Sequence, residues 1–575
     1  MKRAIGIVAL VLISLLVGCG PAQRQATETA GDQPRQGRTL TLAHRYEPPT
    51  LAPKVAASNG PLSTTRLFNA ALALYDDQGA PRPYLAQELP QLNSDTWRVF
   101  PDGRMETTYR LRDGLTWQDG APLTAEDFAF ALRVYKDPDL GIFLRAPQGA
   151  IESVVAADPG AVVIQWRSLN PDAGMLSFGD LDPLPTHLLE PAFTDYKQGQ
   201  ASRETFVAKS FWTTEYVGAG PYRLERWEPG VQLEGAAFDG HALGRAKIDR
   251  LLVRIAIDEN ATLAAVLTGG QFDYTRPFAL RFDHLLVLKR EWEPAGKGTA
   301  LAVPSRAAYL TLQQKPEVVG DEALLDLRVR RAIAHTLERE ALNEGLFGGM
   351  GFPAETSVPR TVSFYPDLER MMARYPLDPA RAGQLMTEAG FTRDAEGFFT
   401  NRQGRRVRLD FAVQTSTELE RMQAILSDAW RRSGFDVHQA VLGVKVWTER
   451  QTSVTIPGLK YTLAPAENSY IAAELASAAT GWAGQNVTGW THPDYERLWN
   501  AASVTLDSAQ RGRYVAEMMA LVSDQLPGYP LYYTMQVSTW VAALQGPDDE
   551  RQSPGFGLVA KATTNYWNVH EWTFR

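Results

Sequence analysis

The side chains best equipped for chemistry in this chain are few and scattered. Eight histidines stand at positions 44, 187, 241, 284, 335, 438, 492 and 570. None of them falls into an HExxH helix or another short metal-ligand spacing. No GxSxG elbow exposes a serine nucleophile, and no GxxxxGK[ST] loop is present to cradle a phosphate. Gly218-Ala219-Gly220 opens like a dinucleotide loop, but Arg223 takes the place of the third glycine. Carboxylates that meet only in the folded chain leave no linear signature, so a hydrolase stays open as the least favoured reading. The residue types otherwise offer no catalytic residue, no metal site and no cofactor.

One position does announce its chemistry. Cys19 is the only cysteine in 575 residues. Lys2 and Arg3 precede an apolar run from Ala4 to Val17, which is short against the ~20 residues of a membrane-spanning helix. Basic residues followed by such a run have the order of an export signal. Leu16-Val17-Gly18-Cys19 resembles the bacterial lipobox, with Val17 a less usual choice at its place. Residues 1–18 are therefore expected to be a signal peptide and Cys19 the lipidation site, a buried structural thiol being the other reading. Gly20 to Arg38 holds no large apolar residue and cannot bury enough surface to offset its own ordering. Residues 19–38 are read as a lipidated cysteine with a flexible tether.

The elements that must position any site begin near Thr39. The remaining chain exceeds the ~250–300 residues at which single cores stop growing, so more than one lobe is expected. Setting Lys2 and Arg3 aside leaves 56 basic against 66 acidic residues, a net charge of −10. No basic stripe is present, which argues against nucleic acid as a partner. Thr39 to Ala43 alternates as a short strand, and Arg104 to Leu111 does the same. Thr124 to Asp127 has the form of a capping box, and Phe128, Ala131, Leu132 and Tyr135 share one helical face. Asp378, Pro379 and Gly390 suit the cap, first turn and end of another helix. Val407 to Val413 alternates again, and a helix is expected from Leu419 to Trp430. Strand then helix, repeated, predicts an α/β protein.

Tyr109 to Asp127 (YRLRDGLTWQDGAPLTAED) resembles the signature stretch of the extracellular solute-binding proteins of the dipeptide- and oligopeptide-binding type, which serve ABC importers. Five further blocks follow in that family's order: Gly218 to Leu224 with Trp227, Lys247 to Asp273, Asp326 to Ile333, Asp378 to Phe391, and Asn486 to Trp490. Together they span about two-thirds of the sequence.

The resemblance implies a two-lobed, periplasmic-binding-protein-like α/β fold with a ligand cleft between the lobes. The first lobe would take residues 39–297, with an extra subdomain at about 60–200. The second would run from 298 to 540, and residues 541–575, with Trp567 and Trp572, would return to the first. The resemblance further implies a ligand lined by Tyr274, Arg276, Tyr309, Trp447 and Tyr461. Aromatics at such positions are more often core than ligand platform, and an arginine is more often a solvated charge. Peptide binders of the family hold the ligand's α-ammonium with an aspartate. The matching stretch here, Gly458 to Tyr470, has no aspartate, and Glu467 is its only acid. Glu467 is either the substitute anchor or a solvated residue at a loop or helix start. The expected function is delivery of a small polar solute, peptide first and saccharide second, to an ABC permease and its ATPase. The protein would be a monomer held outside the cell membrane by its lipid. A sensory or chaperone-like receptor is the alternative.

Overall fold

Leu40 and Leu42 face the core and are completely buried, which fixes the register of the first strand: a one-residue slip would turn both to solvent. The computed structural model describes residues 38–52, 65–140, 142, 147–276, 279–547 and 554–575. Cys19, the signal segment and all but the last residue of the tether lie outside the described residues.

The main sheet is built from β1 (Thr39–His44), β2 (Tyr222–Glu228), β3 (Gln232–Ala237), β4 (Arg250–Ile255), β5 (Tyr274–Thr275), β6 (Gly298–Leu312), β7 (Arg408–Gln414), β8 (Asp436–Leu442), β9 (Leu459–Leu463) and β10 (Gly528–Val541). Their order is β8-β7-β9-β6-β10-β5-β1-β4-β3-β2. Two long antiparallel strands, β6 and β10, hold the centre and are paired from Gly298 opposite Val541 to Thr311 opposite Gly528. On one side β1 runs parallel to β4 and β5. On the other, β7 runs parallel to β8 and β9. The two parallel groups are the sheets of the two lobes, and β6 and β10 cross between them.

Hydrophobic packing follows the same division. One large cluster gathers Leu40, Leu42, Tyr109, Phe128, Trp166, Leu251 and Val253, and it includes Tyr566, Val569 and Trp572 from the chain's end. A second gathers Leu310, Val329, Ile333, Leu409, Phe411, Val413, Trp430 and Tyr529. A third packs Val358, Phe364, Tyr470, Trp490, Tyr495 and Val515 beside it. Between β1 and β2 the chain makes a separate four-stranded antiparallel sheet in the order Trp97–Val99, Met105–Arg110, Ala161–Trp166, Ile151–Asp158.

The helices begin where their caps stand. The Thr124 amide donates to Asp127 Oδ2 at 2.8 Å at the head of helix Ala125–Tyr135. Asp378 accepts from the Arg381 amide at 2.9 Å, with Pro379 at the first position of helix Pro379–Glu388. Helix Leu327–Ala334 buries Val329, Ala332 and Ile333. Helix Thr417–Ser433 runs two or three residues beyond its apolar stripe at each end.

Candidate functional site

Register places the site. Thr275, the end of β5, pairs with Thr539, which lies opposite Ala300 on β6. Leu463, the end of β9, pairs with Ala308 on β6. Because β5 and β9 both run antiparallel to their crossing-strand partners, their carboxyl ends point toward each other. The stretch between them, residues 301–307 of β6, spans about 23 Å at ~3.3 Å per residue. Open α/β sheets place ligands outside the carboxyl ends of their parallel strands. Here two such sets of ends face each other over a common floor.

The floor is distinctive. Leu301 to Arg306 on β6, and Tyr533 to Gln536 on β10, are half-buried or exposed, whereas both strands are largely buried beyond them. Pro304, which has no amide to donate, sits where the pairing register breaks between Pro304 and Ala307. The two most exposed large apolar residues among the described ones stand past carboxyl ends farther out in the same sheet, one in each parallel group. Ile257, 69% exposed, lies two residues past the end of β4, and Val444, 59% exposed, lies two residues past the end of β8.

The second-lobe side holds Trp447 and Tyr461, both half-buried. Trp447 is on the short helix Val444–Thr448 that follows β8. Lys460 Nζ lies 4.8 Å from its ring centroid and donates to Ser453 O at 2.9 Å. Burial lowers the Lys460 ammonium to about 8. Tyr461 is on β9, and burial, followed by the field of Glu418, raises its phenol. Arg306 rises from the floor beside it and donates from Nη2 to Ala464 O. Sequence reasoning missed Arg306 and Lys460. The signal for Arg306 was legible: Pro304-Ser305-Arg306 interrupts an otherwise apolar strand.

On the first-lobe side, Arg276 follows β5 directly. It is buried, its Nη2 donates to Asn565 Oδ1, and its guanidinium lies 5.0 Å from the Tyr566 ring centroid. It is therefore not a solvated charge. His44, at the end of β1, shares a 2.6 Å hydrogen bond with Tyr566 Oη. Burial, reinforced by Arg276, lowers the His44 imidazole to about 3, which keeps it neutral.

The other sequence-derived candidates sit deeper. Tyr274 is in the core, its ring 5.2 Å from Trp572 and 5.9 Å from Tyr566. Tyr309 is fully buried in the second lobe, where Tyr470 Oη donates to its oxygen at 3.4 Å. Glu467 begins a short 3-10 turn after β9, yet it is only 3% exposed and its Oε1 accepts from the Leu558 amide at 3.0 Å. The structure brings Arg276, Trp447 and Tyr461 to the facing strand ends. It buries Tyr274 beside Tyr566 and Trp572 and Tyr309 beside Tyr470, and gives Glu467 a partner from the same chain.

Residues of the first two signature blocks have structural roles. Asp127 also accepts from the Thr186 amide at 2.9 Å and from its hydroxyl at 2.8 Å. Gly218 and Gly220 are glycines because the Phe68 backbone runs against both, where a Cβ would overlap it. That contact accounts for the glycine pair without a nucleotide. Among the described residues no group of three or more His, Cys, Asp or Glu side chains could hold a metal ion, and no helix is long and apolar enough to cross a membrane.

Comparison with known proteins agrees with this geometry. The chain is 22% identical over 562 residues to the oligopeptide-binding protein OppA of Bacillus subtilis, covering 94% of this chain and 96% of that one. It is 26% identical over 498 residues to Protein XP55 of Streptomyces lividans, covering 85% and 82%. Its fold matches the oligopeptide-binding protein of Thermus thermophilus solved with a pentapeptide, with a TM-score of 0.73 at 21% identity, covering 93% and 96%. It also matches NikZ of Campylobacter jejuni solved with Ni(L-His), with a TM-score of 0.71 at 20% identity, covering 93% and 99%. Residues 88–473 match the family model for bacterial extracellular solute-binding proteins, family 5 (middle). With two sets of strand ends facing over a common floor and that match across most of the body, the chain belongs to the bacterial extracellular solute-binding proteins of family 5.

Proposed function

We propose that this protein is an extracytoplasmic solute-binding lipoprotein that captures a peptide or similar small polar solute between its lobes and delivers it to an ABC permease. The observation that carries the reading is the pair of facing strand ends over a half-exposed floor. Such a gap buries a ligand on several sides, and two crossing strands with a proline at a register break allow the lobes to hinge. Arg276, Trp447, Tyr461 and Arg306 are the residues proposed to line it. Tyr274 and Tyr309 are proposed to hold the lining residues in place. The lobes are proposed to divide near 39–297 and 298–540, with 541–575 returning to the first.

Peptide is favoured because two of the relatives are named as oligopeptide-binding, one of them solved with a pentapeptide. A non-peptide solute is the second reading, favoured by the neighbour solved with Ni(L-His). Cys19 is proposed as the lipid anchor and the protein as a monomer that binds without turnover. Hydrogen exchange of the full chain with and without a pool of tri- to pentapeptides tests the site. Slowed exchange at residues 301–307, 442–447 and 461–464 is expected. Protection confined to other surfaces, or accumulation of cleaved peptides, would overturn the reading.

A further inference from the structure

After β10 the chain returns to the first lobe, but the tip of one hairpin in that return reaches the second. Pro554–Phe556 and Ala560–Ala562 pair as a hairpin, here β11 and β12, with Pro554 opposite Ala562 and Phe556 opposite Ala560. Its root is tied to the first lobe. Lys561 Nζ pairs with Asp172 Oδ2 at 2.7 Å, and the Thr563 hydroxyl donates to Asp77 O at 3.2 Å. The Thr564 amide donates to Tyr75 O at 3.0 Å, while the Tyr75 amide donates to Thr564 Oγ1 at 2.8 Å.

Its tip is seated on the second lobe. Phe556, Leu558 and Val559 pack against the cluster of Phe364, Tyr470, Trp490, Tyr495 and Val515, with the Phe556 and Phe364 rings 6.0 Å apart. The Leu558 amide donates to Glu467 Oε1 at 3.0 Å. The Glu467 carbonyl accepts from Tyr495 Oη at 2.8 Å, which fixes the turn that presents the carboxylate. Gly557 has φ +38°, and a Cβ there would overlap the Glu467 carboxylate. The positive φ favours glycine, and a larger residue would have to displace the carboxylate.

We infer that this hairpin is a clasp between the lobes and that Glu467 is its catch, so the carboxylate is committed within the chain and does not receive a ligand's ammonium. The clause about the ammonium rests on the reading of the gap as the solute site; the clasp itself does not. An acid at this place looks like an amine anchor in the sequence because the partner that takes it lies 91 residues away.

Hydrogen exchange at residues 554–562 in the full chain tests the clasp without any ligand. The wild-type Leu558 amide is expected to be protected. Glu467→Gln keeps an acceptor oxygen and should change its exchange by less than about threefold. Glu467→Ala and Gly557→Ala should each accelerate it by roughly tenfold or more, the equivalent of about 1.4 kcal/mol of local opening, with a larger radius of gyration in X-ray scattering. Amides of residues 408–414 report global folding. Should Glu467→Ala unfold the chain, Gly557→Ala carries the same readout. Free-chain exchange of the hairpin in the wild type, or no effect of either alanine, would overturn the clasp. A second arm adds tripeptides with free and acetylated N-termini. Leu558 is expected to stay protected with both, and its release by the free peptides alone would overturn the assignment of Glu467. Absence of peptide protection anywhere would instead count against the proposed function.

Discussion

The Gln118 side chain is stapled to the backbone around Gly220: Nε2 donates to Gly220 O at 3.1 Å and to Tyr222 O at 2.7 Å, and Oε1 accepts from the Gly218 amide at 3.1 Å. Two stretches about a hundred residues apart, each of which reads as a family block, are halves of one joint between the main sheet and the four-stranded sheet. Gln118 is buried, so its loss leaves buried backbone groups without partners.

Gln118→Leu is expected to cost about 3 kcal/mol or more, since three backbone groups lose a partner and each unsatisfied buried group costs ~1–3 kcal/mol. Gly220→Ala should be at least as damaging, because its Cβ would overlap the backbone of Phe68 and Asn69. Denaturant midpoints of the two variants check this. A loss under ~0.5 kcal/mol, the scale of surface changes, would contradict the joint.

Stability should fall on mild acidification. Burial holds His44 and His570 at about 3 and His241 at about 2. All three are neutral in the fold, while the unfolded chain protonates them near 6.5. The unfolded state therefore binds more protons as pH drops below about 6.5, and each histidine costs up to ~1.4 kcal/mol per pH unit. Glu467 and Asp273, whose carboxyls burial holds above the ordinary range, take up protons in the fold and offset part of this. Denaturant midpoints measured from pH 7.5 to 5.5 should fall, and a flat or rising profile would contradict the assignment.

What the sequence made legible is what local pattern determines. Strand alternation at 39–43, 104–111 and 407–413 and the caps at Thr124 and Asp378 need only neighbours a few residues away. Tyr274 and Tyr309 could not be separated from ligand platforms, because the rings that bury Tyr274 come from Tyr566 and Trp572 at the far end of the chain. In the sequence Glu467 reads either as an anchor or as a solvated residue. It is neither exposed nor unpartnered, and the hairpin that covers it carries no local pattern pointing back to it. Arg276 is buried for the same reason, through Asn565 and Tyr566. The facing ends at Thr275 and Leu463 emerge only when the pairing register is known.

Cys19→Ser removes the only thiol in the chain. Labelled fatty acid should no longer be incorporated, and the protein should leave the membrane fraction or remain uncleaved. Continued labelling of the serine variant would contradict the anchor.

Native mass spectrometry of the full chain, released gently from the membrane of the cells that make it, tests the central claim most directly. The account predicts a mass shift from one small solute per chain, lost as an intact molecule on denaturation and regained when the solute is added back. A chain that carries no solute and regains none from a peptide pool, or one that converts added solute to products beyond one equivalent, would contradict it.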